Sequence, residues 1–493
     1  MAVLMGAAPG ASAAANDEPA LRIGSKRFTE SYILAELMAQ TVAPQVPRAP
    51  VVRAGLGNTA VTYEALRSGA IDVYPDYTGT IALEILKSPV PLATDALRAA
   101  LAPLGLGIGV PLGFNDGYAL AVRSADAEWL GLRSLADLAQ HPDLRLGLSN
   151  EFLGRIDGWA GLAARYRLPQ RPVGLDHGLA YDAIAARQVD VIDIYTTDAK
   201  IASLGLTVLA DDRGHFPRYD AVLLYRLDLP QRLPRAWAAL QTLEGRIDER
   251  RMIAMNGRAE LQGVAFATIA RDLLAGGAPT DAARGLGAKL FGADLPRLAA
   301  QHLLLVGVSV GAATAIAVPL GLLVWRRRRA RAVVMAATGL LQTIPSLALL
   351  AVLISWMGAI GTAPALVALT LYALLPILRN TVAGLHGVPP GLAQAGAALG
   401  MTGRQTLRWV LLPLALPVLL AGVRTATTIA IGTATLAAFV GAGGFGERIV
   451  TGLALNDGQL MLAGALPAAA LALLAEGGFG LAEWWLRRRR RSD

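Results

Sequence analysis

Long apolar runs after residue 300 constrain this chain more than any other feature of its sequence. Five of them are long enough to cross a bilayer, whose hydrocarbon core takes about 20 residues of helix. They lie at about 303–325, 332–356, 359–378, 412–441 and 460–482. The first 300 residues have the mixed composition of a globular chain. The sequence therefore predicts a globular N-terminal part followed by an all-α, five-span membrane part at 301–485.

Arginine-rich segments beside these runs predict their orientation. Such segments follow the first run, at 326–331, and the last run, at 487–491, and Arg379, Arg404 and Arg408 lie between the third and fourth runs. Because Lys and Arg concentrate in cytoplasmic loops, all three segments are expected in the cytoplasm. This orientation puts the N-terminal part outside the membrane and makes residues 486–493 a basic cytoplasmic tail. Since these clusters hold much of the net charge of +8, no nucleic-acid partner is predicted.

The N-terminus and the residue inventory narrow the function further. Residues 1–19 combine a short apolar stretch with a following segment of small residues, "ASAAAND", which predicts a signal peptide for export. A disordered leader is the alternative. The chain has no cysteine, which excludes disulfides and thiol catalysis. Its five histidines are not in metal-ligand spacing. We therefore predict no catalytic residue, no metal and no cofactor.

The loop between the third and fourth runs carries the most specific motif. Gln394-Ala395-Gly396 precedes Gly400, and "VLLP", ending in Leu412-Pro413, follows nine residues later. This spacing resembles the EAA loop of ABC import permeases. The resemblance implies a coupling helix within 390–413 that seats in a cytoplasmic ABC ATPase. Gln394 and Gly396 stand where the family has Glu and Ala, so the family's Glu has no counterpart in this chain. The alternative reading of the loop is an Ala-rich helix without a coupling function.

Other stretches of the membrane part resemble the quaternary-amine (osmoprotectant) branch of the same permeases. They are "LQTIPSLALLAVL" (341–353), "YALLPILRNTVAGL" (372–385) and "TIAIGTATLAAFVGAGGFGERI" (428–449). The resemblance implies an inner-membrane permease that works as a homodimer. The sequence has no G-x-x-x-x-G-K-[ST] phosphate loop, so ATP must be used by a separate subunit.

Residues 20–275 alternate short β-like runs with amphipathic helical patterns. "LRIGSK" precedes "ESYILAELMAQTV", and "VDVIDIY" precedes "TDAKIASLG". Strand–helix alternation of this kind predicts an α/β fold with parallel sheets, and the length suffices for two lobes. Residues 276–300 are predicted to form a linker and a pre-membrane helix.

This segment closely resembles the periplasmic binding proteins for glycine betaine, choline, carnitine and related quaternary amines. The resemblance rests on "IGSKRFTESYIL" (23–34), "GLGNTAVTYEALRSGAIDVYPDYTGT" (55–80), "YALAV" (118–122), "EFLGRIDGW" (151–159) and "DVIDIYTTDAKIASLGLTVLADDRGHFPRYD" (190–220). It implies a type II two-lobe binding fold.

The resemblance also implies a cage for the ligand's cation. A trimethylammonium group cannot donate N–H hydrogen bonds, and an electron-rich aromatic face attracts it by about 0.5–2 kcal/mol. The family's cage positions are all tyrosine here: Tyr77, Tyr118, Tyr195 and Tyr219. Asp116 is expected to add negative charge near the cation. Packing in the core is the alternative reading of each tyrosine taken singly.

A zwitterionic ligand also carries a carboxylate. The resemblance assigns that end to Lys26, Thr80 and Arg155. Ser31 replaces a longer Gln of the family, so it is expected to enlarge that side of the ligand pocket or to admit water there. For Arg155 a solvated or lobe-bridging arginine is the alternative.

Together these features predict the fused receptor and permease of an ABC importer for a quaternary-ammonium compound such as glycine betaine, choline or carnitine. Ergothioneine or another betaine-like solute is an alternative substrate. A membrane-anchored ligand sensor without transport is the alternative function.

Overall fold

A computed structural model describes residues 18–276, 285–455 and 457–492 of the chain. These residues divide into two compact units: the chain up to Gly285 with Thr451–Gly458, and Leu286–Val450 with the chain from Gln459 onward. Most of the predicted leader and residues 277–284 of the predicted linker lie outside the described residues.

The N-terminal unit alternates strands and helices. Its strands are β1 (Arg22–Gly24), β2 (Val51–Arg53), β3 (Val73–Tyr77), β4 (Leu106–Asn115), β5 (Tyr118–Arg123), β6 (Leu146–Ser149), β7 (Val173–Leu175), β8 (Val191–Tyr195), β9 (Leu206–Val208) and β10 (Asp220–Arg226). Its helices are α1 (Thr29–Val42), α2 (Thr59–Arg67), α3 (Thr78–Thr80), α4 (Thr94–Leu101), α5 (Ser124–Leu130), α6 (Asn150–Gly154), α7 (Trp159–Tyr166), α8 (His177–Ala185), α9 (Lys200–Ser203), α10 (Leu229–Arg232), α11 (Pro234–Gln241), α12 (Glu249–Glu260) and α13 (Phe266–Ala275). Short 3₁₀ turns occupy Ala43–Gln45, Ala102–Leu104 and Leu135–Gln140, and a π turn occupies Ile81–Ile85.

Two five-stranded sheets define two lobes. The first has the order β2-β1-β3-β10-β4 and the second the order β7-β6-β8-β5-β9. The chain passes from the first sheet to the second between β4 and β5, and it returns between β9 and β10. In each sheet parallel pairs are joined by an antiparallel strand from the crossover. The predicted two-lobe α/β binding fold is confirmed. The expectation of parallel sheets is wrong in part, because β10 and β5, which follow the crossovers between the lobes, pair antiparallel with their neighbours and make both sheets mixed.

Buried apolar side chains explain why the central strands stay in place. Every residue of β6 is buried, as is every residue of β8 except Tyr195. Runs buried on both faces are typical of strands covered by helices on each side. Helix α1 is also buried along most of its length and packs against α12 and α13. This packing holds the N-terminal end of α1 beside the junction of the two lobes.

The C-terminal unit is helical. Its helices are α14 (Leu286–Leu290), α15 (Leu295–Val324), α16 (Arg328–Thr343), α17 (Ser346–Met357), α18 (Thr362–His386), α19 (Pro390–Ala398), α20 (Gly403–Thr406), α21 (Leu412–Ala434), α22 (Gly446–Leu455) and α23 (Gly458–Ser492). A π turn at Leu407–Leu411 precedes α21, and a 3₁₀ turn at Thr435–Val440 follows it.

Among the described residues, four helices are long and apolar enough to cross a membrane, or five if one bent pair forms a single span. The bent pair is α16 and α17, which meet at 99° where the sequence predicts a continuous span at 332–356. Pro345 explains the break, because proline lacks the N–H that a continuous helix requires and disfavours helical geometry at the residue before it. Ile344 is accordingly extended, with φ −71° and ψ 125°. By length and composition, the C-terminal unit is thus a multi-pass membrane part.

Candidate functional site

The four predicted cage tyrosines lie at strand ends next to the two crossovers. Tyr77 ends β3 and Tyr219 immediately precedes β10, both in the first lobe; Tyr118 begins β5 and Tyr195 ends β8, both in the second. Tyr118 and Tyr195 are directly opposite each other in the β5–β8 pair, and Tyr77 pairs with Ala221, two residues after Tyr219. Strand pairing therefore brings each lobe's two tyrosines together.

Ring contacts join the two pairs into one group. The Tyr118 ring centroid lies 5.1 Å from that of Tyr195 and 5.9 Å from that of Tyr219. Phe28, just before α1, lies 5.3 Å from Tyr195 and 6.3 Å from Tyr77. We call these five residues the aromatic cluster. Phe28 was not predicted; its signal in the sequence is an aromatic two residues after Lys26 in a matching stretch.

Gly79 provides the space that Tyr219 requires. A Cβ atom at Gly79 would lie 2.6 Å from the Tyr219 ring and 2.8 Å from the Arg218 carbonyl oxygen. Because such contacts are far inside van der Waals distance, any side chain at 79 would displace the ring or the backbone. The glycine of the "YTGT" stretch thus has a packing role at the aromatic cluster.

Two cluster hydroxyls donate to buried carboxylates. The Tyr77 hydroxyl donates to Glu30, and the Tyr219 hydroxyl donates to Asp157. A hydroxyl that donates to a carboxylate enriches the electron density of its ring, which strengthens the attraction of a cation to the ring face. Burial, followed by the nearby carboxylates, raises the pKa of Tyr77 well above its usual value. Tyr77 therefore stays a neutral hydrogen-bond donor at physiological pH.

A shared hydroxyl connects two buried carboxylates at the lobe junction. The Thr197 hydroxyl lies 2.6 Å from Glu30 and 2.9 Å from Asp116, and the Asn256 amide lies 3.1 Å from the Thr197 carbonyl oxygen. Burial raises the pKa of Glu30 to about 7, and burial with the negative charges of Glu30 and Asp198 raises that of Asp116 well above its usual range. One hydroxyl proton cannot satisfy two ionised carboxylates, so this network favours an additional proton.

Glu30→Gln is expected to reduce the pH dependence of stability of the N-terminal unit. The pKa of Glu30 rises from 4.5 in the unfolded chain to about 7 in the fold. The stability that protonated Glu30 contributes is therefore fully present below the pKa of the unfolded chain, and it is lost as pH rises through about 7. In thermal unfolding of residues 18–276, the wild type should be less stable at about pH 8 than at about pH 5, and Glu30→Gln should reduce that difference.

Asp190→Asn is the control of opposite sign. Although burial opposes it, hydrogen bonds from Arg145 and Arg123 hold the pKa of Asp190 at about 2. The stability from this carboxylate is present above its unfolded pKa and is lost as pH falls through about 2, so Asp190→Asn should destabilise equally at both test pH values. An unchanged pH dependence in Glu30→Gln would contradict the assignment.

Arg155 lies over two rings of the aromatic cluster. Its guanidinium carbon is 4.8 Å from the Tyr118 ring centroid and 6.0 Å from that of Tyr219. The same guanidinium donates two hydrogen bonds to Asp157, of 2.7 and 2.6 Å, and both side chains are almost fully buried. The protein's own cation thus contacts the faces predicted for the ligand's cation. Its assignment to the ligand's carboxylate stays a prediction.

The other predicted tail residues have partners within the fold. Lys26 forms a buried 2.6 Å ion pair with Asp76, and the Ser31 hydroxyl accepts a 2.8 Å bond from the Lys26 backbone N–H. Thr80 is buried at the end of α3, one turn after Tyr77. Lys26 also lies 5.5 Å from the Tyr77 ring centroid, so it borders the aromatic cluster. The ligand roles of Lys26, Ser31 and Thr80 stay predictions.

His177 is a second residue that sequence reasoning missed. Its ring lies 4.4 Å from that of Tyr195, and its Nε2 atom is 3.1 Å from Asp198. Burial alone would lower its pKa, but Asp198 and Asp193 outweigh burial and hold the pKa of His177 well above its usual value. Nothing in the sequence around His177 separates it from a core histidine. In the part of the chain that the structure describes, no group of His, Asp and Glu side chains is placed to hold a metal ion.

The predicted coupling loop lies in the C-terminal unit. Gln394 and Ala395 are exposed on α19, whereas Gly396 is buried. A Cβ atom at Gly396 would lie 3.2 Å from the Met401 sulfur. Gly400 follows the helix with φ +79°, a left-handed conformation that favours glycine. Leu412 and Pro413 begin α21. The loop thus presents a short helix with a small, exposed face.

Two protein families match the chain. Residues 19–276 match the family described as the substrate-binding domain of the ABC-type glycine betaine transport system. Residues 307–489 match the family described as the inner-membrane component of binding-protein-dependent transport systems.

Individual relatives are permease proteins of such transport systems. The osmoprotectant import permease protein OsmW of Salmonella typhimurium is 46% identical over 186 residues, which are 37% of this chain and 86% of that protein. The glycine betaine/carnitine/choline transport system permease protein OpuCB of Bacillus subtilis is 41% identical over 185 residues, or 38% of this chain and 85% of that protein.

A solved structure, of a glycine betaine/carnitine/choline ABC transporter protein, is 27% identical and covers 52% of this chain and 98% of its own, with a TM-score of 0.45. The first family match spans more than half of the chain, and the second accounts for its membrane helices. The chain therefore belongs to the glycine betaine-type ABC transport family and carries the substrate-binding domain and the membrane permease component in one polypeptide.

Proposed function

We propose that the N-terminal unit binds a quaternary-ammonium compound and that the chain imports it as the fused receptor and permease of an ABC transporter. The observation that carries this proposal is the aromatic cluster, whose tyrosines come from both lobes and whose hydroxyls donate to Glu30 and Asp157. Such faces suit a cation that has no N–H donor. Glycine betaine, choline and carnitine, which appear in the names of the relatives, are the first candidates for the ligand.

Ligand capture is proposed to work by closure of the two lobes. A ligand shifts a conformational equilibrium only if it interacts differently with the two states. A ligand on the aromatic cluster would contact Tyr77 and Tyr219 of one lobe and Tyr118 and Tyr195 of the other, so it would favour the closed state. The hydrogen bonds from Thr197 to Glu30 and from Asn256 to Thr197 also cross the lobe junction.

The topology and assembly are proposed from charge and family. Arginine-rich segments at 326–331 and 487–491 favour a cytoplasmic C-terminus and an extracytoplasmic binding unit. Two copies of the chain would supply the two permease halves, and a separate ABC ATPase would supply the energy. Tethering the receptor to the permease raises its effective concentration there, to the millimolar range for a short flexible linker.

Gly396→Val is expected to abolish most uptake without changing ligand affinity. The added side chain would press on Met401 and Thr406, which lie 3.2 and 3.5 Å from a Cβ atom at this position, and so would displace α19 from the seat proposed in the ATPase. Uptake of radiolabelled solute and calorimetric affinity should be measured on the same variant. Gly403→Val is the matched control, because nothing lies within 4 Å of its Cβ position. Equal uptake by the two variants would contradict the coupling role proposed for the helix that carries Gly396.

The decisive experiment compares uptake and binding over a ligand panel. Cells with and without the gene should differ in uptake of at least one of choline, glycine betaine, carnitine and ergothioneine. Calorimetry of residues 18–276 against the same panel should identify the tightest ligand. Binding without any change in uptake would favour the sensor. Absence of binding by every quaternary amine would contradict the proposal.

A further inference from the structure

An ion-pair cluster lies inside the membrane-spanning helices. Arg424 of α21 donates to Glu476 of α23, and its other terminal nitrogen is 3.6 Å from Glu483. The Thr428 hydroxyl lies 3.5 Å from Glu476. Arg424 and Glu476 keep 31% and 44% of their side-chain surface exposed on the chain. The pair therefore joins two spans and also presents charge at their surface.

Both residues lie inside their spans. Arg424 lies near the middle of the run at 412–441, and Glu476 lies six residues, roughly 9 Å of helix, before the end of the run at 460–482. Because the hydrocarbon core is about 30 Å thick, the Arg424–Glu476 pair lies within it. Charged side chains at that depth almost always face the interior of a helix bundle or a water-filled cavity, because lipid solvates them poorly.

The exposed surface of α21 beside this pair carries two threonines and a glycine together with one apolar residue, Ile429. Thr425, Thr428 and Gly432 are exposed at intervals of three and four residues, so they share one face. The exposed residues of α15 include Leu303, Leu304, Val308 and Ile316, which suit contact with lipid. We call Thr425, Thr428, Arg424 and Glu476 the polar face. With an ion pair and two threonines beside the exposed Ile429, it is more polar than the exposed surface of α15.

We infer that the polar face lines the water-filled passage by which the solute crosses the membrane, opposite the same face of a second copy of the chain. Glu476 provides a position inside the membrane where the cationic head of the solute exchanges with Arg424. In α21 and in α23 up to Trp485, one arginine faces two glutamates, so the sequence of these two spans leaves one negative charge for a passing cation. This inference rests on the proposed import function.

Single cysteines test the passage directly, because the natural chain contains none. The full chain with its ATPase, in membrane vesicles, should be treated with a thiol reagent that carries a trimethylammonium group and does not cross membranes. Thr428→Cys should react about tenfold faster or more than Ile316→Cys, which is exposed on the apolar surface of α15. Thr94→Cys, exposed on the binding unit, shows that the reagent is active.

The outcomes separate this inference from the proposed function. If Thr428→Cys and Ile316→Cys are equally unreactive while the protein still takes up solute, the passage lies elsewhere and the import function stands. If no solute is taken up by the unmodified chain but Thr428→Cys reacts, the face is aqueous and the import function is wrong.

Exchange of the two charges tests the role of Glu476. Glu476→Gln should lower uptake by about tenfold or more while the binding unit keeps its affinity. The double variant Arg424→Glu/Glu476→Arg retains an ion pair and should keep the two helices joined, yet uptake should stay low, because the charges that meet the solute are reversed. Restored uptake in the double variant would show that the pair only clamps the helices together, and it would overturn the inference.

Discussion

Tyr195→Ala is expected to weaken binding of choline or glycine betaine by about 10- to 100-fold, or about 1.4–2.8 kcal/mol. Tyr195 contacts Tyr118, Phe28 and His177, so its removal takes one aromatic face from a proposed cation and leaves a gap between the lobes. Calorimetry of residues 18–276 measures the loss. The loss should appear for every quaternary amine, since all share the cationic head.

Two further variants separate the aromatic face from general packing. Tyr195→Phe keeps the ring and loses a hydroxyl whose nearest partner, the Tyr118 hydroxyl, is 3.5 Å away, so only a small loss is expected. Tyr63→Ala removes a partly buried tyrosine of α2 outside the aromatic cluster and should leave affinity unchanged. Unchanged affinity in Tyr195→Ala would contradict the cage.

Arg155→Met is expected to alter the choice between ligands. A guanidinium binds a carboxylate with paired, charge-assisted hydrogen bonds, so glycine betaine should lose about 100-fold in affinity. Choline has no carboxylate, and removal of Arg155 frees the faces of Tyr118 and Tyr219 for its cation. Choline should therefore bind as well as before or better. The ratio of the two dissociation constants is the quantity to measure.

The buried Asp157 requires its own control. Arg155→Met leaves this carboxylate without its ion pair, which is destabilising regardless of any ligand. The double variant Arg155→Met/Asp157→Asn removes the unpaired charge and keeps the hydrogen-bonding shape. If the affinities for both ligands fall equally in the double variant, Arg155 bridges the lobes and does not bind the ligand's carboxylate.

Much of the aromatic cluster was predictable because its tyrosines lie in contiguous stretches that resemble a known family. Tyr77 lies in the stretch 55–80 and Tyr195 in the stretch 190–220, and the resemblance of those stretches assigned both to the cage. Phe28 and His177 were missed. Each reaches the aromatic cluster because its helix begins beside the lobe junction, which depends on tertiary packing. The local sign for Phe28 is its place two residues after Lys26 in a matching stretch, and His177 has no such sign.

The sequence by itself determined the division into a globular part and a membrane part, the α/β class of the first and the approximate limits of the spans other than the second, which bends at Pro345. These properties follow from hydrophobicity and periodicity, which act over neighbouring residues. Only the tertiary structure decided that Arg155 lies over Tyr118, that Thr197 bridges Glu30 and Asp116, and that Arg424 meets Glu476 between two spans. Those contacts join residues tens of positions apart, and chain crossovers and helix packing set them.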